Sequence, residues 1–230
     1  MSEINKLIPY RELHLRIAGK NDQEILNEAV QRCLTASVPL ISAETAYLLF
    51  TLARAASPVR IAEIGTGFGY SALLLALASP GSSIITIEND AQSAKPAQEF
   101  FTAMGVCGRV SLLSGNAIVA LRTVSGLFDF VFIDAAKEEY VSYLNLLLTR
   151  LARGAILVAD DVFFDGEMHG RLLPKLVREQ IRNELEHFRR IVREKPYFLT
   201  SFLPIGCGVS VTLLIGHPEL EDVGNGAMQD

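Results

Sequence analysis

The chain has 230 residues, half of them apolar and a fifth charged, which suits one large domain, or one domain with a helical extension, around a sizeable core. A formal charge of −5 by itself predicts no nucleic-acid partner. Cys33, Cys107 and Cys207 are odd in number and lack paired spacing, which excludes a disulfide framework and suits reduced thiols in a cytoplasmic protein.

The opening stretch MSEINKLIPYRELHLRIAGK carries charges throughout and has no apolar h-region, so no signal peptide is expected. Two helices are expected before the sheet. Asn21-x-x-Glu24 opens one in the manner of a capping box, and Ser42 with Glu44 opens the other. From residue 60 onward, apolar β-type runs at 60–65, 84–88, 109–115, 129–134 and 155–160 alternate with helical patterns at 70–79, 91–104, 117–124 and 139–151. Continuous apolar strands separated by helices predict an α/β fold with a parallel sheet covered on both faces, and ligands beyond the C-terminal strand ends. The most apolar helix, at 71–78, is far too short to span a bilayer, so no membrane partner is expected. A long amphipathic helix is expected over 171–195, with Leu172, Leu176, Leu185 and Phe188 facing inward. Two closing strands, in FLTSFLPIG and GVSVTLLIG, follow around a tight Gly206-Cys207-Gly208 turn. One domain results: a helical extension over 1–58, a sheet core over 59–216, and an acidic, Gly-containing tail over 217–230 that is expected to fray.

In AEIGTGFGYSA, at 62–72, Gly65, Gly67 and Gly69 follow a strand and open a helix. Small residues there let the backbone turn tightly and approach a ligand. Glu88 ends the next strand, where an acid can accept hydrogen bonds from both ribose hydroxyls. A nicotinamide dehydrogenase would want glycine where Tyr70 stands. Asn116 ends the third strand; its amide suits an adenine edge, and equally suits the N-cap of the following helix.

Two apolar strands stop on acids: VFIDAAKEEY ends at Asp134, and AILVADDVFFDG ends at Asp160 and Asp161. Neighbouring strands would bring three carboxylates to one rim. Converging anions need a cation or raised pKa values. All-oxygen donors suit a hard divalent ion, Mg2+ first and Mn2+ or Ca2+ next. Lys137 stands about one turn past Asp134. It could take a proton or stabilise an oxyanion there, with cationic neighbours depressing its pKa. The plain alternatives are a helix-capping Asp134, turn-forming Asp160 and Asp161, and a solvated Lys137. His14, His169, His187 and His217 are scattered and receive no chemistry.

EIGTGFGYSALLLALA, TIEND, GNA, FDFVFIDAAKEEY, GAILVADDVFFDG and LPIGCGVSV, taken in that order, resemble the cation-dependent O-methyltransferases. That family includes catechol and caffeoyl-CoA O-methyltransferases and a bacterial branch acting on wobble 5-hydroxyuridine in tRNA. FIDAAK is most similar to the bacterial branch. The resemblance implies a Rossmann-like, doubly wound, seven-stranded, mostly parallel sheet with an antiparallel last strand, and S-adenosylmethionine as methyl donor. It also implies Glu63, Gly65, Gly67 and Ser71 around the methionine part, Glu88 on the ribose, Asn116 and Ala117 on the adenine, and Ile41 as a further contact. Asp134, Asp160 and Asp161 match the metal ligands, Asp134 also adjoining the cofactor, and Lys137 matches the catalytic lysine. Asp161 replaces a usual Asn, Asn116 a usual Asp, and Cys207 a usual Asp. A homodimer is the family expectation, and Ile4, Leu7, Ile8 and Leu13 could serve it or fold over the substrate.

The substrate class stays open between a hydroxylated aromatic small molecule and tRNA, because both offer adjacent oxygens. Eight Lys or Arg and four Glu over 171–195 give a local charge of +4, and Arg171, Lys175, Arg178 and Arg182 share one helical face. That face could grip phosphates, although a solvated face is the favoured reading. Phe163 and Phe164 offer stacking faces or pack a lid. A nicotinamide-dependent oxidoreductase and a catalytically dead binding module are the alternatives from other classes.

Overall fold

A computed structural model of the chain describes residues 3–168 and 171–216. It forms two compact units, Met1–Ala120 and Leu121–Asp230. The expected fraying tail at 217–230, with His217, and also His169, lie outside the described residues.

The first unit opens with three helices, α1 (Glu3–Ile17), α2 (Lys20–Ala36) and α3 (Ala43–Ala56). Two were expected. The charges and Pro9 hide the periodicity of α1, yet it buries Leu13 and His14. The Asn21/Glu24 capping box does not form. α2 starts earlier, behind Gly19, which has no side chain to cap with, and Gln23 donates instead to the Ala18 carbonyl at 2.7 Å. Ser42 caps α3 as expected, accepting from the Thr45 N–H at 3.0 Å. Next come β1 (Arg60–Ile64), α4 (Tyr70–Ala78), β2 (Ser83–Glu88), α5 (Ala91–Ala103) and β3 (Val110–Ser114). β2 pairs in parallel with both β1 and β3, Ile84 standing opposite Ile61 and Val110. α6 (Ala117–Thr123) follows.

His14 is fully buried. Its Nδ1 lies 2.8 Å from Asn27 Oδ1 and its Nε2 lies 2.9 Å from the Tyr70 hydroxyl. This chain of polar contacts ties α1 to α2 and α4. Tyr10 adds a bond to the Ile41 carbonyl at 2.8 Å.

The second unit holds β4 (Phe128–Ile133), a 3-10 turn at Lys137–Glu139, α7 (Tyr140–Leu148), β5 (Leu151–Ala159), β6 (Glu167–Met168), β7 (Arg171–Leu172), α8 (Lys175–Glu194), β8 (Phe198–Leu203) and β9 (Val209–Leu214). β4 and β5 are parallel, while β9 runs antiparallel to both β5 and β8. The seven-stranded sheet has the order β3-β2-β1-β4-β5-β9-β8, the doubly wound arrangement with an antiparallel last strand that the sequence implied. A separate two-stranded ribbon pairs β6 with β7.

Two helix boundaries differ from expectation. The helix expected to reach 151 stops at Leu148, because residues 151–154 join β5 through an irregular register. Phe128 pairs with Leu151 but Phe130 with Ile156, and Gly154 takes φ +80°. α8 begins at Lys175 rather than 171, because Pro174 disfavours helical backbone at Leu173 and takes extended ψ itself. Arg171 and Leu172 pair in the ribbon instead. The buried stripe of α8 is Ile181, Leu185, Phe188 and Val192; Leu172 and Leu176 are exposed, contrary to the inward reading. No helix among the described residues is long and apolar enough to cross a membrane.

Two stability predictions follow from this packing. Burial, partly offset by the Asn27 bond, holds the His14 pKa below its ordinary 6.5. The unfolded chain therefore takes up a proton near pH 6.5 that the folded chain refuses. Stability is fully present above that pH and falls as pH drops through it, by up to about 1.4 kcal/mol per pH unit. Urea unfolding between pH 7.5 and 5 should show this slope, and His14→Gln should flatten it; an unchanged slope refutes the assignment. At Gly69, with φ +89°, an added Cβ would meet Phe101 Cε1 at 2.9 Å and Ala97 Cβ at 3.2 Å. Gly69→Ala should cost about 2–4 kcal/mol by urea unfolding, from left-handed strain plus overpacking.

Candidate active site

In the first unit, the residues singled out from the sequence gather at the C-terminal ends of β1 to β3. The Gly67 N–H donates to Glu88 Oε2 at 2.7 Å, and the Asp90 N–H donates to Oε1 at 2.8 Å. These two backbone donors fix the Glu88 carboxylate at the end of its strand. Gly67 adopts φ +52°, and a Cβ there would touch Val38 Cγ1 at 3.8 Å and the Pro39 carbonyl at 4.0 Å, so the segment leading to Ile41 runs close to the glycine turn. Ile41 is buried. Glu63 lies fully buried, accepting from the Thr86 hydroxyl at 2.5 Å. Gly65 donates to the Ile87 carbonyl at 3.0 Å, and Ser71 is buried in the first turn of α4. Gly115 donates to the Glu88 carbonyl at 2.7 Å, bringing Asn116 and Ala117 to the same edge. Asn116 Oδ1 accepts from the Val119 N–H at 3.2 Å, which is the N-capping role. Carboxylates beside exposed turn backbone, with an amide at the neighbouring strand end, fit an adenosyl ligand carrying positive charge. Tyr70 is buried against His14, where a dinucleotide turn would want glycine.

In the second unit, Asp134 follows β4 and Asp160 follows β5. The Asp160 N–H donates to the Ile133 carbonyl at 2.9 Å, so the parallel ladder sets these two acids side by side. Asp161 takes φ +54°, an uncommon conformation for a residue with a Cβ and one that Asp and Asn tolerate best. The Lys137 ammonium, on the 3-10 turn, lies 2.8 Å from Asp134 Oδ1 and 3.0 Å from Asp161 Oδ2, with its side chain only 14% exposed. It also stands 5.5 Å from the centre of the Tyr140 ring. Tyr140, which sequence reasoning missed, is fully buried, and its hydroxyl donates to the Asp160 carbonyl at 2.9 Å. Only an aromatic residue at a helix start signalled it.

Asp160 is 4% exposed, and its Oδ1 accepts from the Asp161 N–H at 2.8 Å. Burial first, then the charges of Asp134 and Asp161, push its carboxyl up to about 7. The three acids are therefore electrostatic neighbours, as expected from their strand ends. Burial alone would lower the Lys137 pKa, but Asp134, Tyr140 and Asp161 outweigh burial and hold it well above the ordinary lysine value. Lys137 is also the cation that answers the crowding, bridging two of the three carboxylates.

Among the described residues, no three His, Cys, Asp or Glu side chains are grouped so as to hold a metal ion as they stand. The donor chemistry nonetheless fits a hard divalent cation: every donor is oxygen, and the acids outnumber the lysine. The Cys207 thiol is exposed. Burial, then the charges of Asp161, Asp165 and Asp160, push its pKa up. Its carbonyl accepts from the Phe163 N–H at 2.8 Å, so the turn is held by backbone whatever side chain stands at 207. The face read as basic at Arg171, Lys175, Arg178 and Arg182 is not continuous on α8. Arg171 is off the helix, Lys175 lies 3.8 Å from Glu179, and Arg178 packs over Gly166.

A family model described as O-methyltransferase matches residues 18–215. The catechol O-methyltransferase of Mycobacterium tuberculosis is 36% identical over 149 residues, covering 63% of this chain and 68% of that protein. The catechol O-methyltransferase domain-containing protein 1 of Mus musculus is 31% identical over 194 residues, covering 80% of this chain and 72% of its own length. Among solved structures, the O-methyltransferase TomG of Streptomyces achromogenes, involved in tomaymycin synthesis and bound to S-adenosylmethionine, superposes with a TM-score of 0.75 at 27% identity. That match covers 94% of this chain and 100% of TomG. The O-methyltransferase of Bacillus cereus in complex with S-adenosylhomocysteine gives 0.71 at 25% identity, covering 83% of this chain and 90% of the other.

The ion pairs make a direct stability prediction. In the presence of chelator, Lys137→Met leaves Asp134 and Asp161 unneutralised and should cost about 1–3 kcal/mol in urea unfolding at pH 7. Adding Asp161→Asn should restore part of the loss; equal destabilisation of single and double variants would contradict the bridging role.

Proposed function

From the premise that the chain belongs to the O-methyltransferase family and works as an S-adenosylmethionine-dependent O-methyltransferase, we propose that its substrate is a planar, catechol-like small molecule and that it methylates a hydroxyl beside a second oxygen with the help of a divalent cation. The observation that carries this reading is the strand-end group of Asp134, Asp160 and Asp161 with Lys137 bridging two of them.

Glu88 holds the ribose hydroxyls, oriented for that by the Gly67 and Asp90 N–H groups. Asn116 and Ala117 border the adenine, and Glu63, Gly65, Gly67, Ser71 and Ile41 surround the methionine part. Asp134, Asp160 and Asp161 are the residues that would hold Mg2+, or Mn2+ or Ca2+. When bound, such an ion supplies Lewis-acid charge stabilisation to two adjacent substrate oxygens. The hydroxyl oxygen of the substrate attacks the methyl carbon of the sulfonium in line. The carbon–sulfur bond breaks, sulfur keeps the electron pair, and the hydroxyl proton passes to Lys137 or to solvent. Lys137, which lies 2.8 Å from Asp134 and 3.0 Å from Asp161, stands beside the developing phenolate, where it takes the hydroxyl proton or stabilises the oxyanion. With Arg171 in the ribbon rather than on α8, Lys175 near Glu179 and Arg178 packed over Gly166, the basic face is shortened, which favours the small molecule over tRNA.

Methyl transfer from labelled S-adenosylmethionine to a catechol panel, with Mg2+ and with EDTA, tests the proposal beside mass spectrometry of tRNA nucleosides. Catechol turnover should depend on the cation. Lys137→Ala should lose about 10²–10⁴-fold in kcat while calorimetry still detects cofactor binding. Methylated wobble uridine without catechol turnover, or full activity in EDTA, would overturn it.

A further inference from the structure

Phe163 stands two residues beyond Asp161, and its ring is exposed and yet fixed. The Phe164 N–H donates to the Asp161 carbonyl at 2.9 Å, closing a turn whose central residues diverge. Val162 goes fully into the core, while Phe163 stays 50% exposed. The turn is clamped to the β8–β9 connection by two further backbone bonds, Val162 N–H to Gly208 carbonyl at 2.9 Å and Phe163 N–H to Cys207 carbonyl at 2.8 Å.

Three elements hold the ring itself. It lies directly on Gly208, where any Cβ would collide with it and where φ is +90°. Phe202 of β8 packs against it with ring centroids 5.7 Å apart and planes at 60°. From α8, the Arg189 guanidinium carbon sits 4.9 Å from the ring centroid, and its Nη1 donates to the Val162 carbonyl. Arg189 thus stacks on the ring and pins the backbone beneath it. A guanidinium has five N–H donors, and the Val162 carbonyl takes one. Glu186 and Arg193, its charged neighbours on α8, act on it in opposite senses.

An apolar ring left half open and held from three sides beside the strand-end carboxylates is a preorganised stacking surface. We propose that Phe163 and Arg189 determine substrate specificity: Phe163 is the platform for a planar aromatic ring, and Arg189 favours rings bearing an anionic substituent such as a carboxylate. This inference rests on the methyl-transfer reading above and deepens its substrate class. Ring-on-ring stacking and a charge-assisted contact each contribute to binding in ground and transition state alike, so both act on KM.

Steady-state kinetics with catechol and with 3,4-dihydroxybenzoate test it. Wild type should show the lower KM for 3,4-dihydroxybenzoate. Phe163→Leu should raise KM for both by about five-fold or more with kcat little changed, and Phe163→Tyr, which keeps the ring, should retain the wild-type value. Arg189→Gln should raise KM for the carboxylated substrate selectively. Unchanged KM in Phe163→Leu, or an equal rise for both substrates in Arg189→Gln, overturns the proposal. Calorimetric binding of 3,4-dihydroxybenzoate separates the two ideas. Wild-type binding that Arg189→Gln loses, without turnover, strikes the reaction assignment alone; no binding by wild type overturns the specificity inference.

Discussion

Carboxylates crowd the C-terminal rim of β4 and β5, and the structure there is arranged around managing their repulsion. Parallel pairing of the two strands puts Asp134 beside Asp160, and the left-handed backbone at Asp161 turns a third acid toward Lys137. One ammonium bridges two of the acids, and the third, Asp160, has its pKa raised first by burial and then by the charges of the other two. Tyr140 closes the arrangement from α7 by bonding the Asp160 carbonyl and lying beside the ammonium. Stability alone would favour fewer charges at such a rim, and a buried carboxyl with a raised pKa among like charges marks a candidate functional site.

The first unit meets a different constraint. Its glycine turn must bring the backbone near Glu88 while α4 stays tightly packed, and the packing of Phe101 and Ala97 over Gly69 leaves no volume for a side chain there. Tyr70 then fills the space a dinucleotide turn would keep open, and its hydroxyl is satisfied by His14 from α1. The helical N-terminal segment is therefore part of the core of this unit, linked through a buried polar chain whose imidazole pKa is lowered by burial.

Much of the architecture was legible from local patterns. The strands at β1 to β5, the closing hairpin, the Ser42 cap and the strand-end positions of Glu88, Asp134, Asp160 and Asp161 all follow from apolar runs punctuated by turn and acid residues. The errors fell where a local signal competed with a distant partner. Arg171 and Leu172 read as helix until Pro174 and pairing with 167–168 placed them in a ribbon. Residues 151–154 continued a helical pattern but pair with β4. Asn116 is not among these errors: its side-chain oxygen accepts at the first turn of α6, one of the two roles read from the sequence.

Sequence alone determined the order of elements, the acids at the strand ends and the glycines at the turns, because hydrophobic period and turn chemistry act over a few residues and need no partner. Tertiary structure alone decided that His14 is buried against Tyr70, that Lys137 lies between two carboxylates, and that Phe163 is exposed but held by Arg189, Phe202 and Gly208. Those states depend on charge, burial and close approach among residues far apart in the chain, and such energies exist only once the strands and helices have packed.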